Sequence, residues 1–450
     1  MTKHSPVVRP HGRTTGRPTV RHRARVLLSV IGLGAAASLA LSGCASGSGS
    51  SGGGNAKKLT MWISTSAEQE KGFDQLATEY KKDSGVSVSI VNIPNSGMQT
   101  KLRNAAQANA LPDIARATSV DPIWINKTED LSSIATDPAN KIQQSLIVKG
   151  SDGKVNSIPS DSTAAGLFVN KTLFDKAGVS FPTDPSKTWT WQQFIEAATQ
   201  VKKATGAKYD LVFDASPGRL RAMTYEFGGD YMQLGSNGTF STNDKTKTAL
   251  EFFKSLNDDS IMPKSVWTSG ADPNALFKSG QVVAYFSGIW QVADFSANIT
   301  DFDWASAASP ASPIHATDLN VGGDMVAFDN GGGRGDAAKE FLAWLYQPAH
   351  YSELVGSNEF LPVESGLTID YPFTDQASKD SFALYNKEIE LAAPISSYFT
   401  TAQMKWVLKG KTLTTDPTLT EVGKYINGQQ NVDATIKNII AGYDQQAGGK

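Results

Sequence analysis

From Lys58 onward the chain switches between a period of two and a period near 3.6 in its apolar positions. Leu59, Met61 and Ile63 alternate with Lys58, Thr60 and Trp62, which predicts a strand ended by the polar Ser64-Thr65-Ser66. Phe73, Leu76, Ala77 and Tyr80 then recur at helical spacing, with Lys81-Lys82 in the last turn and Gly85 as the stop. A second alternating run, Val86 to Val91, gives way to Pro94. Strand, helix and strand in this order predict the unit that builds a parallel sheet. A further helix is expected over Leu102 to Ala110, and a short strand from Pro112 to Ala115 ending near Ser119.

The middle and late parts of the chain are richer in helix. Thr190 is a cap for a helix from Trp191 to Thr205, whose apolar face is Phe194, Ile195, Ala198 and Val201. Asn243 or Asp244 opens another, carrying Ala249, Leu250, Phe253 and Leu256. Ala337 to Tyr346 predicts an apolar helix stopped before Pro348, and Val282 to Phe286 a strand. Strands alternate with helices throughout, so the class is α/β. After Lys57 no stretch is apolar enough to span a membrane.

The first 57 residues follow a different pattern. Residues 1–25 carry seven Lys or Arg and no acid, and the apolar run Val26 to Leu41 ends in Leu41-Ser42-Gly43-Cys44. Basic, apolar and small residues in this order predict a signal peptide over 1–43. The closing tetrapeptide resembles a bacterial lipobox, which implies a lipid on the sulfur of Cys44, the only cysteine. Residues 44–57 are then the anchor and a Ser/Gly linker. A protein so processed is expected on the outer face of the cell membrane.

Charge and composition narrow the chemistry. Loss of the seven basic leader residues would carry the net charge from −2 to −9, a poor balance for nucleic acid. The remaining 407 of 450 residues suffice for two or three units with cores that need no disulfides. Past the leader only His315 and His350 remain, so no metal site and no cofactor is expected, and a histidine-dependent triad has little to draw on. Gly331-Gly332-Gly333 lacks the Lys-Ser/Thr of a phosphate loop. A carboxylate pair of the glycosidase kind stays open, although nothing marks one.

The nine tryptophans stand out. An indole face can cover the C–H face of a sugar ring while neighbouring polar groups bond its hydroxyls. Trp189, Trp344 and Trp406 read as packing residues. Trp290 follows Gly288-Ile289 at the carboxyl end of the strand from Val282, where open α/β sheets hold ligands.

Several segments together resemble the family 1 extracellular solute-binding proteins, receptors of ABC sugar importers related to the maltose-binding protein. They are Ile158-Pro159 with Gly166 to Gly178, Thr188-Trp189 with Trp191 to Phe194, Leu276 to Ala284 with Ser287 to Trp290, and Gly322-Gly323 with the helix from Ala337. The resemblance implies a two-lobed, periplasmic-binding-protein-like (type II) fold with hinge strands and a ligand cleft between lobes. It places the lobes at 58–160 plus 306–360 and at 161–305 plus 361–447, with crossings near Pro159 to Asp161, Ala307 to Pro310 and Leu361-Pro362. It implies ligand contacts from Trp290, Ser64, Thr65, Glu68, Ser119, Asp121, Asp161, Tyr225, Glu226, Gly228, Trp267, Gly323 and Asp324. The expected role is that of a monomeric receptor which hands a mono- or oligosaccharide to a membrane permease and breaks no bond. Two alternatives stay open. One is a non-sugar solute such as a polyamine, an amino acid derivative or a glycerophosphodiester, with Arg219 and Arg221 available to a phosphate. The other is a secreted carbohydrate-active enzyme.

Overall fold

The computed structural model describes residues 56–447 apart from 66, 231–232, 236–238, 312, 412 and 414. The leader and Cys44 lie outside the described residues. Two sheets organise the chain. The first has the order β2-β1-β3-β11-β4, from β1 Lys58–Ile63, β2 Ser87–Asn92, β3 Ile114–Ala117, β4 Ile158–Thr163 and β11 Asn320–Ala327. The second has the order β10-β5-β9-β6, from β5 Ala165–Asn170, β6 Tyr209–Phe213, β9 Val282–Gly288 and β10 Trp304–Ala307. A two-stranded ribbon, β7 Gln233–Leu234 and β8 Phe240–Ser241, lies apart from both.

The expected strand–helix–strand unit is present: β1 runs parallel to β2, Lys58 opposite Ser87 and Ile63 opposite Asn92, with helix Ala67–Ser84 between them. The late strand β11 returns antiparallel between β3 and β4. Its pairing with β4 slips on both sides of Gly323, where a bulge re-aims the strand. β4 runs through Pro159 to Asp161, pairs with β11 as far as Thr163, and only Ala164 separates it from β5 in the other sheet. The chain returns between Ala307, the last residue of β10, and Asn320, the first of β11. Leu361 then pairs with Ser162 in an isolated bridge.

β5 is buried at every position, and its side chains divide between two apolar clusters, as period two requires. Phe168 joins the cluster that also holds Met61, Phe341 and Phe295, whereas Leu167 and Val169 join Trp191, Phe194 and Phe213. The helix Trp191–Thr205 has the expected bounds, because Thr190 and Gln193 form a reciprocal capping box and Gly206 ends it at φ +78°. Asn243 caps Asp244–Leu256, its side chain accepting from the backbone N–H groups of Lys245 and Thr246.

Two helices begin earlier than their apolar pattern. Asn95–Gln107 starts directly after Pro94, ahead of Leu102, in a polar first turn that hydrophobic spacing cannot mark. Arg334–Leu345 starts before Ala337 because Gly331, Gly332 and Gly333 all take positive φ and turn the chain into it.

Candidate functional site

Two neighbouring cavities lie where β11, the start of helix Pro217–Glu226 and helix Tyr398–Val407 converge. The first, about 360 Å³, is lined by Ser119, Ser157, Asn320, Asp324, Gln403 and Trp406, among others. The second, about 310 Å³, is lined by Gly218, Arg219, Arg221, Asp318, Gln403 and Thr415, among others. Asn320, Gln403 and Leu413 belong to both. The walls are rich in amide, hydroxyl and charged groups.

On the first-sheet side the organising group is Arg116, inside the otherwise apolar strand β3. Its Nη2 donates to Asp161 at 2.6 Å, its Nε to Ser160 at 2.9 Å and its Nη1 to the Ser64 carbonyl at 3.0 Å. Phe360 covers the guanidinium face, 4.7 Å to the ring centroid. Ser160 and Asp161 lie on β4, so this buried ion pair ties β3 to the strand that leads into the second sheet. Gly323 is required beside it, since a Cβ there would stand 2.7 Å from the Arg116 side chain. Asp324 accepts from Ser157 at 3.0 Å. Burial, reinforced by the negative Asp161 and opposed by Ser157 and Arg116, pushes its carboxyl up to about 6.

On the second-sheet side Trp290 follows β9 and is 45% exposed, unusual for an indole in this chain. The Arg219 guanidinium packs over its ring at 4.4 Å. Two arginines two residues apart on the same helix have different partners. Arg221 donates to Asp318, at 3.1 Å from Nε, and lies 3.6 Å from Asp416. Arg219 makes one long hydrogen bond, 3.5 Å from Nη1 to the Ser287 carbonyl, and its buried Nε has no acceptor. The nearby Asp214 is already held by the Tyr285 and Ser287 hydroxyls, which donate to its two oxygens. Burial lowers the Arg219 pKa from its ordinary value.

The residues expected to meet the ligand separate into groups. Ser119 and Asp324 line the larger cavity. Asp161, Ser64 and Gly323 surround Arg116, and Trp290 stands beside Arg219. Thr65 exchanges hydrogen bonds with Asn92, its N–H donating at 3.2 Å and its carbonyl accepting at 3.1 Å. Asp121 is spent as a helix cap for Ile123 and in an ion pair with Arg103. Tyr225 and Glu226 are fully buried, and Glu226 accepts from the Trp191 indole at 2.5 Å. Gly228 ends their helix at φ +81°. Trp267 is buried against Phe213 and Phe253, its indole N–H pointing at the Phe213 carbonyl. The Glu68 side chain lies outside the described residues.

Sequence reasoning did not single out Arg116, Asn320 or Gln403. An arginine within Ile114-Ala115-Arg116-Ala117 was a signal, because a charge in a strand buried at every position needs a partner. Gln403, on an ordinary helix face, gave none. Trp406, read as packing, does pack edge-on against Phe240 at 4.8 Å, yet it also lines the larger cavity.

The comparisons with known proteins agree with this architecture. A Brucella abortus protein described as a binding protein is 24% identical over 300 residues, covering 65% of this chain and 68% of its own. The lactose-binding protein of Rhizobium radiobacter is 26% identical over 200 residues, 43% of this chain and 46% of its own. Among solved structures, the cyclic alpha-maltosyl-1,6-maltose binding protein from Arthrobacter globiformis superposes with a TM-score of 0.65 at 23% identity, covering 88% of this chain and 99% of that one. The sugar-binding protein MalE from Xanthomonas citri also gives 0.65, at 18% identity over 87% and 97%. These structures share the fold. Residues 64–351 match the model of the bacterial extracellular solute-binding proteins, and the chain belongs to that family.

Proposed function

We propose that this protein is the substrate receptor of an ABC importer and that it captures a mono- or oligosaccharide in the cleft beside Trp290. One observation carries the reading: a large, exposed indole stacked against Arg219, which itself lines a cavity walled by hydroxyl, amide and charged groups. Apolar ring face and polar edge are what a pyranose needs. The names of the lactose-binding relative and of an arabinooligosaccharide-binding protein from Halalkalibacterium halodurans, 25% identical over 201 residues, support it.

The lobes are 58–160 plus 306–360 and 161–305 plus 361–447, a division supported by the two sheets, with β1 to β3 and β11 in one, β5, β6, β9 and β10 in the other, and β4 crossing the boundary. Closure of one on the other is the hinge motion that a permease would read. The receptor is monomeric, breaks no bond, and is held to the outer face of the membrane by a lipid on Cys44. A phosphate-bearing solute is the weaker reading. Asp214, Asp318 and Asp416 surround Arg219 and Arg221, and together they offset the positive charge a phosphate would seek.

A thermal-shift screen of residues 58–450 against sugars, amino acids, polyamines and glycerophosphodiesters tests the assignment. A ligand of the folded state raises the melting temperature. A shift with a polyamine or phosphodiester and none with any sugar refutes it.

A further inference from the structure

We infer that a pocket beside the Leu361-Pro362 crossing is a second ligand site, separate from the cleft, which takes a small aliphatic amine and holds its ammonium group at Glu364. The pocket, about 390 Å³, shares no lining residue with the two cavities described above. Gln143 and Ser145 form one wall and Pro362 to Leu367 another. The end of helix Gln376–Leu391 and the turn Pro394–Ser397 form the third. Its volume is at the low end for a small-molecule site, which suits a body of a few carbons.

The pocket holds an unanswered acceptor. Glu364 is 2% exposed, and neither of its carboxylate oxygens has a hydrogen-bond partner among the described residues. Native folds leave few buried polar groups in that condition, because each forgoes its bonds to water without replacing them. The neighbours supply no donor. On the core side the Tyr346 and Tyr351 hydroxyls feel its charge, yet they donate to the Pro159 and Ser160 carbonyls. On the pocket side the helix brings Glu390, a second acid, and no Lys, Arg or His is among the lining residues. Such a pocket repels anions. A cation carrying N–H donors is what its carboxylate lacks.

The rest of the lining suits an alkyl body. Leu319, Leu367, Ile389 and Pro394 give the pocket an apolar side. Glu364, Leu319 and Ile389 are buried and form its depth, whereas Ser145, Ser365, Gly366 and Glu390 are exposed at its mouth. An alkyl chain lies along the apolar side with its ammonium at Glu364. In a diamine the second ammonium is left for Glu390. Burial raises the Glu364 carboxyl to about 8, so an ammonium that pairs with it displaces its proton. Amine affinity therefore rises with pH up to that value.

Titration calorimetry with n-butylammonium chloride and putrescine tests this, with n-butanol and sodium butyrate as neutral and anionic controls. Both amines are expected to saturate the protein below about 10 mM, within reach of so few atoms, and the controls are expected not to bind. Butylammonium affinity should rise about tenfold or more from pH 6 to pH 8.5, a range in which an alkyl amine stays charged. Glu364→Gln should weaken both amines about tenfold or more, whereas Trp290→Ala should leave them within about twofold of the parent. Should Glu364→Gln fail to fold, the pH dependence of the parent decides. Absence of saturable amine binding overturns the inference. So does an affinity that is level between the two pH values, equal binding of butanol, or parent-like affinity in Glu364→Gln. Loss of amine binding in Trp290→Ala would put the amine in the cleft and also overturns it. The saccharide reading is untouched by each of these results, since it is read with sugars as titrants.

Discussion

The guanidinium of Arg219 lies 4.4 Å over the ring of Trp290, and Gly288 permits that contact. Any Cβ at position 288 would collide with the outer edge of the indole and stand 2.8 Å from Arg219 Nη1. The placement of the exposed indole is thus set by three residues, of which only Trp290 stood out in the sequence as a candidate ligand contact. Trp290→Ala is expected to weaken saccharide binding about thirtyfold or more, the loss of a central aromatic anchor. The melting temperature without ligand should hardly change, since the ring is 45% exposed. Parent-like affinity in calorimetry would refute the role.

Gly288→Ala separates positioning from contact. It removes no atom that could touch a ligand, yet it forces Trp290 and Arg219 apart. Binding should fall at least tenfold while circular dichroism keeps the parent's spectrum. An unaltered dissociation constant would mean that the ring's placement is immaterial.

The Arg116–Asp161 pair predicts a stability effect of another size. Both side chains are buried, so removing one partner strands the other's charge away from water. Asp161→Asn or Arg116→Met is expected to cost about 3–5 kcal/mol in urea unfolding. The double variant should recover part of that loss. If the single variants unfold like the parent, the pair does not tie β3 to β4 as its geometry implies.

Glu364 is buried with neither carboxylate oxygen bonded, and burial raises its pKa to about 8. A carboxyl raised in the folded state favours folding at acidic pH, where both states are protonated. That advantage is lost as pH climbs from the ordinary carboxylate value toward 8, a span worth at most several kcal/mol. Asp324, pushed to about 6, acts in the same direction but completes its titration earlier. His315, raised by its contact with Glu388, also loses its contribution on the alkaline side. The parent's melting temperature should therefore fall between pH 6.5 and 8.5, and Glu364→Gln should flatten the fall without abolishing it. Identical slopes for parent and variant would exclude Glu364 as the source.

Much of this fold was legible because apolar periodicity and caps agree locally. Thr190 to Gly206 shows every signal, cap, apolar face and stop, and the helix has the predicted bounds. Polar helix starts such as Asn95 to Gly97 carry no period and were missed. The site was less legible because its parts come from distant segments. Trp290 was singled out by its place at the carboxyl end of a strand, and the structure leaves it exposed beside Arg219. Tyr225, Glu226 and Trp267 had similar local credentials, yet tertiary packing turns them into the second sheet's core. Arg116 and Asp161 are 45 positions apart, and nothing local states that one neutralises the other.

Asp324 links the site to pH. Its carboxyl lines the larger cavity and is pushed up to about 6, chiefly by burial. At pH 7.5 it is ionised, and a ligand hydroxyl donating to it would make a charge-assisted hydrogen bond, stronger than a neutral one. At pH 5 it is protonated, and one oxygen becomes a donor competing with the ligand's own hydroxyls. Saccharide affinity should therefore fall about three- to tenfold from pH 7.5 to pH 5, with its midpoint near 6. Asp324→Asn keeps the shape and removes the titration, so its affinity should be weaker at pH 7.5 and nearly level across the range. Calorimetry at both pH values on parent and variant decides the point. A parent whose affinity does not change between them would place Asp324 outside the ligand's contacts.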